Sequence, residues 1–151
     1  MPTLKERLRA DLATAMKARD ETTVATLRLA LTAVTNDEVA GSAARELSDD
    51  QVQAVLVRES RKYAESFEAF HSAGRAEQAA EEQARAAVLA RYLPAPLDDV
   101  ELDELVEAAV QATGADSPRA IGAVMKALGP QVAGRAEGAR VAAVVKARLA
   151  R

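Results

Sequence analysis

The sequence predicts an all-α protein, an N-terminal helical module followed by a small three-helix C-terminal domain. Three observations lead there. Ala, Leu, Glu, Arg and Lys, all good helix formers, dominate the composition. Runs of β-branched or aromatic residues of strand length are absent. Leucines and valines recur at three- and four-residue spacing between capping and breaking signals. Hydrophobic residues make up 49% of the 151, but 36 residues are alanines, and there is no Trp, with only 2 Phe and 2 Tyr. Such a composition suits slender bundles rather than one thick core.

Seven helices follow in order. The first opens at Thr3, with Glu6 completing a capping box, and places Leu4, Leu8, Leu12 and Met16 on one face. The second covers about residues 20–39 and carries the seam Val24, Leu27, Leu31, Val34, suited to antiparallel packing. Gly41 and Ser42 break it. Ser48 and Gln51 box the third, whose face holds Val52, Leu56, Tyr63, Phe67 and Phe70 before Gly74 stops it. The fourth, about residues 76–92, offers mainly alanine and Val88, so it must pack closely or weakly.

Pro94 and Pro96 in YLPAPLDD cannot continue a helix. They set the expected boundary between domains 1–93 and 94–151. Asp98 and Glu101 open the fifth helix and Gly114 closes it, with Leu105, Val106 and Val110 inward. Ser117 is expected to cap the sixth, with Pro118 at its first position and Gly129-Pro130 at its end. Ile121, Val124, Met125 and Leu128 are its stripe. The seventh starts near Ala136 and turns Val141, Val145 and Leu149 inward.

Several functions are excluded or left without support. With no cysteine there is no disulfide, thiolate metal site or Cys nucleophile. The charged start MPTLKERLRADL is not a secretory signal, and no apolar run is long enough to span a bilayer. A soluble cytoplasmic protein with no membrane partner is the expectation. The lone histidine, His71, reads as a helix-terminal surface residue. The pairs Asp49-Asp50, Glu81-Glu82 and Asp98-Asp99 sit at helix starts or on polar faces, where they favour the dipole or solvent over acid–base work. No catalytic residue, cofactor or metal is expected. Arg28 and Glu59 fall within apolar seams of the second and third helices, which predicts a structural pair between them. The alternative is that the seams flare and both reach water.

Net charge is −3, but it is unevenly spread. Residues 94–116 carry seven acidic and no basic side chains, while residues 117–151 carry seven basic and one acidic. That asymmetry hints at a local anion-binding face. The loop GPQVAGRAEGAR lies within it. Gly134 and Gly138 permit positive φ or close backbone approach, and the loop feeds the N-terminus of the last helix. Arg135 stands at that entrance, and Arg140, Arg148 and Arg151 fall on one side of the helix. Together with Lys126, they suit a sugar-phosphate backbone, of folded RNA rather than stacked single strands. A tight helix–helix turn would need the same glycines.

Four stretches carry a resemblance: MKARDETTVATLRLALTAVTNDE, RESRKYAESFEAFHSAGR, ARYLPAPLDDVEL and GAVMKALGPQVAGRAEGARVAAVVKARL. They resemble the free-standing YqeY-like members of the GatB/YqeY family from end to end. The resemblance implies an N-terminal helical domain and a C-terminal one similar to the tail of the B subunit of glutamine-dependent Glu-tRNA/Asp-tRNA amidotransferase, where the tail helps hold tRNA. It also implies a family label of carbon–nitrogen ligase with glutamine as amide donor. The chain lacks that enzyme's kinase-like domain and glutaminase. Carried over, Gly122, Val124, Met125, Leu128, Gly134, Arg135, Ala136 and Gly138 form the tail motif, of which Gly134, Arg135 and Gly138 are the candidate RNA-facing loop. Glu137 and PQVA stand where some relatives carry Asp and a Lys, which removes positive charge. The leading expectation is a non-catalytic tRNA- or RNA-binding accessory protein. The alternatives are a helical interaction module for a tRNA-processing enzyme, one of tRNA-dependent amidation or aminoacyl-tRNA chemistry, and ligase activity in the literal sense of the family label.

Overall fold

Capping boxes fix the starts of three helices in the computed structural model, which describes all residues, Met1–Arg151. Thr3 and Glu6, Ser48 and Gln51, and Asp98 and Glu101 each exchange side-chain bonds for free backbone N–H groups. Seven α-helices result: α1 (Leu4–Ala18), α2 (Glu21–Val39), α3 (Asp49–Ser72), α4 (Ala76–Ala90), α5 (Asp99–Thr113), α6 (Ile121–Val132) and α7 (Gly138–Leu149). There are no strands. A single 3₁₀ turn, Pro118–Ala120, leads into α6. Gly74 and Gly114 follow α3 and α5 at φ 73° and 68°, the left-handed stops that glycine allows. The helices divide into two units, Met1–Leu93 and Pro94–Arg151.

In the first unit α1–α4 enclose Leu8, Leu27, Val34, Val52, Leu56, Val88, Leu89 and Tyr92. The alanine-rich α4 solves its packing by lying close along α3, with Ala79, Val88 and Leu89 buried. A charged tie crosses this unit. Glu38, near the end of α2, takes the Lys5 ammonium at 2.6 Å and the Leu47 N–H at 3.1 Å. Only 11% of the Glu38 side chain is exposed, so its charge persists because both oxygens are partnered. The Lys5 bond, then the Leu47 N–H, hold its carboxyl below the ordinary value of 4.5.

The expected Arg28–Glu59 pair does not form. Arg28 lies exposed on the outer side of α2, its guanidinium against the Met16 sulfur at 3.8 Å. Glu59 is served from its own helix, by Lys62 at 2.8 Å and Arg58 at 3.7 Å. Spacing along one helix places a residue on a stripe, but the rotation of the neighbouring helix decides which side chains meet.

In the second unit α5–α7 bury Leu97, Leu102, Val106, Val110, Val124, Leu128, Val132, Val141, Val145 and Leu149. Two boundaries differ from expectation. Ser117 makes no side-chain cap, and Pro118 starts the 3₁₀ turn instead of α6. Gly129-Pro130 does not end α6, which runs on with Pro130 inside its last turn. Val132 is buried in the core, and its carbonyl takes the N–H groups of Arg135 and Ala136 at 2.9 and 3.1 Å. That anchoring outweighs the one backbone bond the proline omits. α7 begins at Gly138 because Ala136 still packs against the core as loop.

Candidate nucleic-acid interface

The α6–α7 loop is a clasp before it is anything else. Gly134 adopts φ 74°, which turns the chain back after Val132. The turn lays Arg135 alongside the segment that precedes α5. The Leu97 N–H donates to the Arg135 carbonyl at 2.8 Å, and Arg135 Nε donates to the Ala95 carbonyl at 3.0 Å. Within the first turn of α7, Arg140 donates from Nη1 to the Leu97 carbonyl at 2.8 Å and from Nη2 to Asp99 at 2.7 Å. Two stretches some 40 residues apart are thus bolted together by reciprocal bonds.

The candidate cations divide by how much of their charge is spent. Arg148 grips Glu107 through Nε at 2.5 Å and Nη2 at 3.1 Å, a two-pronged bridge between α7 and α5. The Arg148 bond first, then that of Gln111, pull the Glu107 carboxyl down to about 2, and Glu107 in turn pushes Arg148 up. Arg140 is neutralised by Asp99. Arg135 spends only Nε, on a neutral carbonyl, so its charge and both terminal nitrogens are uncommitted. Lys126 on α6 is exposed and makes no salt bridge. Arg119 in the 3₁₀ turn and Lys146 on α7 are likewise exposed and unpaired, and sequence reading had not singled them out. Their lack of a partner is set by where the acids of α5 point, which no local pattern encodes.

Gly138 differs from Gly134. Its φ is not positive, and a β-carbon there would meet nothing within 4 Å. Nothing in this chain demands glycine at that point. It leaves the entrance to α7 open, where Glu137 makes no side-chain cap. At the other end of α7, α5 and α7 flank a groove of about 540 Å³ with Asp103 and Glu104 on one wall and Arg148 and Arg151 on the other.

These features define a two-unit, all-helical protein whose second unit leaves Arg119, Lys126, Arg135 and Lys146 without a carboxylate partner. The chain belongs to the YqeY-like family, whose model, described as Yqey-like protein, matches residues 5–149. No curated protein matches the sequence. No helix is long and apolar enough to cross a membrane.

Proposed function

We propose that this protein is a non-catalytic RNA-binding accessory protein whose C-terminal unit touches the phosphate backbone of a folded RNA such as tRNA. The observation that carries the reading is the separation of charge. The acids of the unit lie almost wholly on residues 98–116, and Arg119, Lys126, Arg135 and Lys146 keep their charge free of any carboxylate partner. Unpaired cations on a rigid helical frame are what sequence-independent phosphate contact requires. The resemblance of this part of the chain to the amidotransferase tail points the same way. Arg140 and Arg148 serve the reading indirectly, by holding the frame.

The experiment is tRNA binding by the full chain over a salt series. Binding should weaken steeply with salt. Lys126→Glu and Lys146→Glu should each weaken it and flatten the dependence of log K on log salt by about one unit per lost phosphate contact. Substituting Arg140 is a poor probe, because it breaks the clasp as well as removing charge. Absence of binding at low salt would sink the reading and turn the search to a protein partner such as a tRNA-processing enzyme.

A further inference from the structure

The N-terminal unit holds a concave site of its own. Residues of α1, the α1–α2 turn, the first turn of α2 and the two positions after α4 line an open cavity of about 330 Å³. Arg7, Asp11, Thr14, Asp20, Thr23, Arg91 and Tyr92 supply its polar groups, and Ala15 and Ala18 its apolar floor.

The carboxylates keep their charge but already hold neutral hydrogen-bond donors. Asp11 accepts the Tyr92 hydroxyl, 81 residues distant, at 2.5 Å. Burial first, and this bond second, push the Tyr92 hydroxyl above its ordinary value, so it stays protonated and fixed. Asp20 accepts the Thr23 N–H at 3.1 Å and its hydroxyl at 2.7 Å. The guanidiniums are the opposite case. Arg7 lies over the Tyr92 ring, 5.5 Å from its centroid, and neither Arg7 nor Arg91 has an ion-pair partner. Each retains a planar fork of donors. The hydroxyl protons of Thr14 and Thr23 are spent, on the Ala10 carbonyl and on Asp20, so what these groups offer is lone pairs.

We propose that this cavity binds a small phosphomonoester bearing sugar-type hydroxyl groups, its phosphate held between Arg7 and Arg91. A carboxylate saturates one guanidinium fork; a phosphomonoester has three terminal oxygens and two charges, enough for two forks. The threonine lone pairs accept hydrogen bonds from hydroxyls on the same ligand. The cavity is at the small end for ligand sites, which suits a compound of this size.

The test follows amide NMR signals of Ala15, Ala18 and Thr23 in the full chain during titration with ribose 5-phosphate, inorganic phosphate and ribose. Ribose 5-phosphate should bind with Kd near or below about 1 mM, and ribose should not bind. Inorganic phosphate should bind more weakly than ribose 5-phosphate. Arg7→Gln and Arg91→Gln should each weaken binding about tenfold; Arg91→Gln should leave the melting temperature unchanged because the side chain is exposed, and Arg7→Gln should lower it slightly through the lost stacking on Tyr92. Lys126→Glu should leave it untouched, which separates this site from the RNA face. A 5′-phosphorylated oligoribonucleotide that displaces ribose 5-phosphate, where its dephosphorylated form does not, would place the phosphate at an RNA end; failure to displace would leave a free sugar phosphate as the ligand. No shift with ribose 5-phosphate, or binding indifferent to both arginine variants, overturns the proposal. If the variants lose their fold, equal binding of ribose and ribose 5-phosphate by the unaltered chain overturns it as well.

Discussion

Arg19 is the one non-glycine residue with positive φ, at 57°, where α1 ends and turns into Asp20. A side chain in the left-handed region costs roughly 1 kcal/mol, and glycine does not bear that cost. Arg19→Gly is therefore expected to stabilise the N-terminal unit by about 0.5–1 kcal/mol, read as a higher melting temperature. Gly134 presents the reverse case. At φ 74°, Gly134→Ala should cost about 1–2 kcal/mol and loosen the clasp, seen as faster amide exchange at Leu97. Glu107 predicts a pH effect. Its carboxyl is held at about 2 instead of 4.5, so its stabilising contribution is complete above about 4.5 and drains away as pH falls towards 2. Glu107→Gln should lower stability at neutral pH and flatten the acid side of the profile, measured by urea unfolding across that window. Residue-scale features such as these were legible when local: Gly74, Gly114 and the three capping boxes act within a few positions. The Glu107–Arg148 bridge, 41 residues apart, was not.

At the scale of elements, periodicity identified every helix, and most of its buried faces were readable. The errors lie where a neighbouring element overrides a local signal. Pro130 marks a helix end by its own chemistry, yet burial of Val132 carries α6 past it. α4 looked short of large apolar anchors because Leu89, which is fully buried, is masked by the alanines around it. Arg28 and Glu59 miss each other because the buried face of α2 runs through Thr23, Leu27, Ala30 and Val34, which turns Arg28 outward, while Glu59 is held within α3 by Lys62. The basic ridge of α7 was legible as charge but not as free charge: the acids that absorb Arg140 and Arg148 come from α5. The Arg7–Arg91–Tyr92 cavity was not legible, because its two halves are 81 residues apart in sequence.

For the whole molecule, the two units carry separate hydrophobic cores. Leu128 is fully buried in the second, so Leu128→Ala should cost that unit about 2–5 kcal/mol. Calorimetry should then show the melting of residues 94–151 shifted down and that of residues 1–93 unmoved. A common shift of both would show that the units unfold as one.

The reciprocal bonds of the α6–α7 clasp also dictate where this protein can be cut. The Ala95 carbonyl and both backbone groups of Leu97 are partners of Arg135 and Arg140, although all three lie before the first turn of α5. A fragment begun at the cap of α5, Asp98, would leave those arginines without their carbonyl acceptors and would loosen the α6–α7 loop. An excised C-terminal unit has to keep the proline segment as its lead-in, so the workable cut falls ahead of Ala95.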